Sequence, residues 1–510
     1  MNDKSNPLSV PRACLGWLVR TLPTVVVMAA LAGLAFWGHH TGWNFGAENP
    51  RAMIGSAKDA SDWIRVLDDP ETPDYGWCSR HGVYNCPLEH PDVAQTVRRP
   101  TITKADFERV RRALAVRPRA ENDPVYRGHR RRLHFASEEA VTKTGIDSFP
   151  VLSEAVTEVV TASGEISFDP TRMARLTARA SGTARYVAKT IGDPVRAGEV
   201  LALVDAKEVG MAKSQFLGPL VQMRRKRKYL ASLRAAGRSV SRRQIQEAEA
   251  SLRDAEARLL GAEQTLFNLG LPVRAADNAD APIEELHRRL QFLGVPETLV
   301  QHLDQASRTG NLLPVRAPFD GVVLKCDVIN GELLDTSKVL FVIVDPRRVW
   351  LTLHVGLDDM GCVARGQTVK FRPDGLKEEF TGKLTWIGTG SDEKTRTVPV
   401  RAELSNKEGR LRASTFGVGR IVLREEPDAL VVPAEAVQLD GGCQIVFVRH
   451  KDYLEPVGPK DFFVRTVRTG ARQGANTEII AGVLKEESVV TKGSGRLLRE
   501  LKKSAVADEN

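Results

Sequence analysis

Sulfur is scarce in this sequence. Six cysteines occur in 510 residues, at Cys14, Cys78, Cys86, Cys326, Cys362 and Cys443, and only Cys78 and Cys86 are close neighbours. That excludes a small scaffold held by disulfides. There are seven methionines, with none between Met53 and Met173, which argues against thioether-rich handling of Cu(I), an ion selected by soft sulfur donors. Catalytic signatures are also missing: there is no Gly-x-Ser-x-Gly elbow, no phosphate-cradling glycine loop and no His-Glu-x-x-His. His287, His302 and His354 stand alone, and Asp358-Asp359 falls in a turn-like stretch. The charge excess of nine is small for the length, and its two basic clusters, "HRRRLHF" (129–135) and "RRKRK" (224–228), read as solvated faces. A nucleic-acid footprint is therefore not expected.

Against these absences stand several positive features. A chain of 510 residues implies three or more modules. Residues 21–38, "TLPTVVVMAALAGLAFWG", carry no charge; Lys4, Arg12 and Arg20 precede them, and no Lys or Arg follows before Arg51. This reads as a transmembrane anchor with residues 1–20 cytoplasmic and the bulk of the chain exported. The alternative is a cleaved signal segment, with Ala30-Leu31-Ala32 as the cleavage site. Residues 39–72 read as a linker.

Residues 77–93, "WCSRHGVYNCPLEHPDV", place Cys78, His81, Cys86 and His90 within thirteen residues, with Gly82 and Pro87 as turn points. Four N/S donors at such spacings are compatible with a tetrahedral Zn²⁺ or a related soft ion. A Cys78–Cys86 disulfide in an oxidising compartment is the rival reading, and unconnected side chains are the third. The metal-binding segment is expected over 73–95, followed by a basic linker over 96–148 with one helix at "TKADFERVRRALAV".

Further along, "ARASGTARYVAKTIGDPVRAGEVLALVDAKE" (178–208) and "LLPVRAPFDGVVLKCDVINGELLDTSKVLFVIVD" (312–345) share one pattern of short strands and glycine turns. Two half-units of this kind predict a single small β-sandwich. Between them the period becomes helical. Ile245, Leu252, Leu259 and Leu266 alternate with Ala248, Ala255, Ala262 and Leu269 in an a/d heptad, and Val209, Phe216, Met223 and Leu230 form a stripe on the preceding arm. Gly218-Pro219 predicts a kink in that arm. "AAGRSVS" offers Gly237 as a C-cap and Ser239 or Ser241 as the next N-cap, so the arms must run antiparallel. Beyond residue 345, alternating strands and turns predict a small barrel and a further β domain.

This order resembles the periplasmic adaptors, or membrane fusion proteins, of tripartite efflux pumps, over about residues 150–500. "GTARYVAKTIGDPVRAGEVLALV" is similar to the first lipoyl-like half. "VRAPFDGVVLKCDVINGELLDTSKVLFVIVDPRRVWLTLHV" is similar to the second, with Pro318, Phe319, Gly321 and Trp350, and "VVPAEAV" (431–437) to the strand entering the membrane-proximal domain. The resemblance implies a mainly β chain with a long α-helical hairpin. Its parts would be a lipoyl-like domain (178–206 and 311–345), the hairpin (207–310), a β-barrel (149–177 and 346–425), a membrane-proximal domain (426–500) and a tail (501–510). It further implies no catalysis, a membrane-anchored ring of three or six copies, an inner-membrane transporter of the resistance-nodulation-division class, an outer-membrane channel, and a heavy-metal or multidrug cargo.

"YNCPLEHPDV" is similar to the heavy-metal-binding segment of copper/silver-type adaptors in Tyr84, Cys86, Pro87, His90, Pro91 and Val93. It departs from that segment in having Leu88 for methionine and in the added Glu89. Zinc, copper and silver are thus the candidate ions. Two rivals to the overall reading are an adaptor for ATP-driven peptide or protein export and a lipoyl- or biotin-carrier enzyme subunit. The carrier reading would make Lys207 of "VDAKE" the attachment point.

Overall fold

The computed structural model describes residues 63–69, 72–278, 281–303, 309–455 and 457–508. The expected membrane span at 21–38 lies outside them, and among the described residues no helix is long and apolar enough to cross a membrane.

The two half-units combine into one sandwich of two four-stranded sheets, and each sheet takes two strands from each half. One sheet has Leu312–Arg316, Val200–Asp205, Gly182–Val187 and Leu333–Leu334 in that order; the other has Met173–Thr177, Val339–Val344, Gly321–Cys326 and Pro194–Val195. The halves are therefore interleaved, and neither could close a core alone. Their equivalence extends to single residues. Gly182 and Asp205 stand at the same sequence separation as Gly321 and Val344. A Cβ on Gly182 would lie 2.1 Å from the Asp205 carbonyl oxygen, and one on Gly321 2.5 Å from that of Val344. Both positions require glycine because another strand's backbone passes there.

The strand Val200–Asp205 reads as an unbroken apolar run because both its faces are covered. Leu201, Ala202 and Val204 enter the sandwich core, while Val200 and Leu203 pack under Leu299 of a short returning helix, Glu297–His302, and Leu303 just after it.

The hairpin arms are Lys207–Ala235 and Arg242–Asn268. At 1.5 Å per residue the first is about 43 Å long. Every residue of the predicted first stripe (Val209, Phe216, Met223 and Leu230) is buried, as are Ala248, Ala255, Leu259, Ala262 and Leu266 opposite. Ser241 caps the second arm in a capping box with Gln244. The first arm runs through Pro219 as one helix. After Asn268 the chain turns back, and the helix Ile283–Gln291 braces the hairpin's base through Leu286 and Leu290 instead of lengthening its arms. Lys207 opens the first arm; it is not on the tight β-turn that a carrier lysine needs.

The barrel consists of Leu152–Phe168, Arg348–Gly356, Thr368–Pro373, Phe380–Ile387, Thr397–Ser405 and Phe416–Pro433, and is closed by pairing of Val369 with Ile421. Its inward residues alternate as expected for one-sided burial: Val349, Leu351, Leu353 and Val355 on one strand and Val398, Val400, Ala402 and Leu404 on the next. Met173–Thr177, expected in the barrel, belongs to the sandwich.

The regions read as linkers are structured in part. Ile64–Asp68, from 39–72, pairs with Arg131–Phe135, from 96–148, and the latter pairs with Asp461–Thr466 in a seven-stranded sheet of the C-terminal domain. "HRRRLHF" is accordingly a core strand: Leu133 and Phe135 are buried, and Arg132 and His134 meet Asp461. Basic composition concealed a five-residue period-2 pattern whose charges find acidic partners only across the sheet. A helix at Lys104–Val116 matches the expected one. The tail folds as well: Leu497 and Leu501 of the helix Ser494–Asp508 are buried in the same core.

Candidate metal centre

The cysteine-histidine loop folds onto this C-terminal domain. Trp77–Cys78 pairs with Val83–Tyr84 in a two-residue ladder. The Cys78 carbonyl accepts hydrogen bonds from the N–H groups of His81 (3.3 Å) and Gly82 (2.8 Å), with Gly82 at φ +67° closing the turn. A second turn follows, in which the Cys86 carbonyl accepts from Glu89 (3.1 Å) and His90 (2.9 Å). The two turns bring the donors together. His81 Nδ1 lies 3.4 Å from Cys78 Sγ and 3.3 Å from Cys86 Sγ, and all three donor atoms fall within 4.8 Å of one another. No disulfide joins the two sulfurs.

His90, the fourth expected ligand, is elsewhere. Its ring stacks on Tyr75 with centroids 3.8 Å apart, and the Tyr75 hydroxyl donates to Asp92 at 2.6 Å. Glu89 takes the near position: its Oε1 is 3.9 Å from His81 Nδ1 and 3.1 Å from the exposed Arg80 guanidinium. Sequence spacing passed over Glu89 because it was read as an added residue before the histidine. Its placement three residues after Cys86, inside the turn, was the available signal.

The setting is apolar and fixed. Val83, Cys86 and Leu88 share a core with Val110 and Ala113 of the helix Lys104–Val116 and with Ile480 of the strand Asn476–Ala481. The Phe107 ring lies 6.2 Å from that of His81. Polar tethers hold the loop's backbone: Tyr84 N–H donates to Thr466 Oγ1 at 2.7 Å, Asn122 to the Gly82 carbonyl at 2.9 Å, and Arg465 to the Val93 carbonyl at 2.7 Å.

The helix beneath the loop and the residues that follow it are tied down by ion pairs to buried carboxylates. Arg112 forks onto Glu426 at 2.8–3.0 Å, Arg119 binds Glu158 at 2.6 and 2.8 Å, and Arg424 joins Glu158 (3.3 Å) to Glu478 (2.6 Å). This network joins the barrel, the helix and the C-terminal domain.

Burial sets the protonation of the donors. It pushes the Cys86 thiol up to about 12, with the neighbouring Cys78 sulfur adding to the effect. It lowers His81, against the opposing pull of Glu89. Both shifts favour the neutral imidazole, which is the ligating form, and the protonated thiol, which would release its proton on binding a metal. Cys443 is a separate buried free thiol, whereas Cys326 and Cys362 are only half-buried.

Three family models match consecutive parts of the chain. Residues 172–345 match the CzcB-like, barrel-sandwich hybrid domain, 348–423 the CusB-like, beta-barrel domain, and 430–495 the CzcB C-terminal circularly permuted SH3-like domain. The cysteine-histidine loop precedes all three.

Among curated proteins, the chain is 24% identical over 367 residues to the cobalt-zinc-cadmium resistance protein CzcB of Cupriavidus metallidurans, covering 72% of this chain and 63% of that protein. It therefore spans under two thirds of that relative's length. It is 24% identical to the nickel-cobalt-cadmium resistance protein NccB of Alcaligenes xylosoxydans xylosoxydans, over 71% of this chain and 80% of that one. It is 26% identical to the multidrug resistance protein MdtA of Cronobacter turicensis, over 69% and 78%. Of solved structures, ZneB from Cupriavidus metallidurans aligns at 24% identity over 72% of this chain and 97% of that chain, with a TM-score of 0.31. The three models together take in more than half of the described chain, in the order sandwich, barrel, C-terminal domain, so the chain carries a CzcB-like barrel-sandwich hybrid domain, a CusB-like β-barrel and a CzcB-like C-terminal domain.

Proposed function

We propose that this protein is the periplasmic adaptor of a tripartite pump that exports metal cations. It would be held in the inner membrane by residues 21–38 and assembled in a ring of three or six copies. The barrel and C-terminal domain would seat on a transporter of the resistance-nodulation-division class, and the hairpin tip would engage an outer-membrane channel. The observation that carries the reading is the chain order: a sandwich split by a helical hairpin and followed by a barrel, with one further domain built from segments before and after them. In this role the protein transmits position and force and catalyses no reaction.

The relatives support a cation cargo: CzcB and NccB are named as resistance proteins for cobalt, zinc, nickel and cadmium. A multidrug cargo is the second reading, favoured by the likeness to MdtA. Deleting the gene and measuring growth against zinc, cobalt, cadmium, nickel, copper, silver and a panel of drugs tests both. Sensitivity confined to one or more cations, restored by the wild-type chain, is the expected result. Sensitivity to drugs alone would overturn the cation reading.

A further inference from the structure

We propose that Cys78, His81, Cys86 and Glu89 form a closed, four-coordinate site for a divalent ion of the Zn²⁺ class, and that filling it fastens the loop to the C-terminal domain. This inference is independent of the adaptor's cargo.

The donor separations fit a tetrahedral ion. Bonds of about 2.3 Å to sulfur and about 2.0 Å to nitrogen at a tetrahedral angle put the two donors about 3.5 Å apart. The observed Nδ1···Sγ separations of 3.3 and 3.4 Å agree with that within two tenths of an ångström. A trigonal arrangement, as Cu(I) adopts with three soft donors, would open the same separation to about 3.7 Å. Glu89 Oε1 is 3.9 Å from Nδ1 but more than 4.8 Å from at least one of the two sulfurs, so its side chain must swing toward the sulfurs by more than about an ångström to reach a tetrahedral vertex. The partner it would leave, Arg80, is exposed, and an ion pair of that kind holds a carboxylate weakly. His90 is committed to Tyr75 on the far side of the same turn.

Two thiolates, one imidazole and one carboxylate form a borderline donor set, suited to Zn²⁺, Co²⁺ or Cd²⁺ and lacking the thioethers that favour Cu(I). With all four positions supplied by the protein, no vertex remains for passing an ion onward, which is the mark of a structural or regulatory site. Cys86 and His81 lie in or against the core that contains Ile480 and Ala481. An ion that draws the loop closed therefore also holds that core together.

The test uses the purified full chain under reductant, titrated with Co²⁺ as a spectroscopic probe and then with competing Zn²⁺. The expected result is one ion per chain, with intense tetrahedral cobalt bands and thiolate-to-cobalt charge transfer. Glu89→Ala should weaken binding at least about tenfold and alter the bands, as expected for loss of a direct ligand. His90→Ala should stay within about twofold of wild type. Cys86→Ser should cut the charge-transfer band to about half, the share left by Cys78, and His81→Gln serves as a second ligand variant in case the serine disturbs the core. Hydrogen exchange in 76–94 and 476–481 should slow when Zn²⁺ is added. Three results would each overturn the proposal: no stoichiometric binding, an E89A variant that binds like wild type, or an isolated chain two hydrogens light from a Cys78–Cys86 disulfide.

Discussion

Arg424 offers the most exacting test of how this protein is held together. Its side chain is 4% exposed and faces three carboxylates, on Glu158, Glu478 and Glu426, that are no more exposed than it is. Glu158 has a second cation in Arg119, and Glu426 has Arg112. Among the described residues, the Glu478 carboxylate has only Arg424 and the Ala471 N–H, at 2.9 Å, as its hydrogen-bond donors. Arg424→Met therefore strands the Glu478 carboxylate in a buried site with one neutral donor. Breaking a buried pair from one side costs about 3–5 kcal/mol.

Peptide-level hydrogen exchange is the suitable assay, because a chain of several domains need not unfold in one step. Over the strands Phe416–Pro433 and Asn476–Ala481 the variant should exchange about two to three and a half orders of magnitude faster, at 1.4 kcal/mol per decade. Adding Glu478→Leu removes the stranded charge together with its desolvation cost, so the double variant should recover most of the loss. Exchange of the single variant within about threefold of wild type would refute the reasoning. So would a double variant as labile as the single one.

Three further outcomes are expected. Arg347, and after it Arg172, hold the Asp345 carboxyl down to about 2 at the junction of sandwich and barrel. This folded value lies below the unfolded one, so the stabilisation, about 2 kcal/mol, is present above about pH 4 and lost as pH falls through about 2. Asp345→Asn should lower the unfolding midpoint at pH 7 and leave it nearly unchanged at pH 2 in calorimetry. Leu259→Asp places a charge among the buried residues between the arms, where even Leu→Ala costs about 2–5 kcal/mol. It should lower helical circular dichroism and abolish complementation of the deletion strain, and full complementation would count against the hairpin's role. Gly182→Ala drives a Cβ against the Asp205 carbonyl and should cost about 1–3 kcal/mol, read as a lower urea midpoint for the sandwich.

The elements most legible in the sequence were those whose pattern is complete within a short window. The heptad from Ile245 to Leu269 and the stripe from Val209 to Leu230 needed no partner to be recognised, because a helix's buried face repeats along its own chain. The glycine-punctuated half-units showed through for the same reason, and Cys78, His81 and Cys86 were found because two short turns connect them.

Boundaries were less legible. Arg131–Phe135 is a core strand only because Asp461–Thr466 lies alongside it, more than three hundred residues later. In isolation its arginines outweigh Leu133 and Phe135.

By itself, then, the sequence determined the local periods, the hairpin, the repeat and three of the candidate ligands, all of which follow from short-range geometry. Only the tertiary structure decided that the two half-units share both sheets, that residues 64–150 and those after 438 build one domain, and that Glu89, not His90, faces His81. Those outcomes depend on which surfaces meet after the chain returns on itself, and on one turn at Cys86 that sends adjacent side chains in opposite directions.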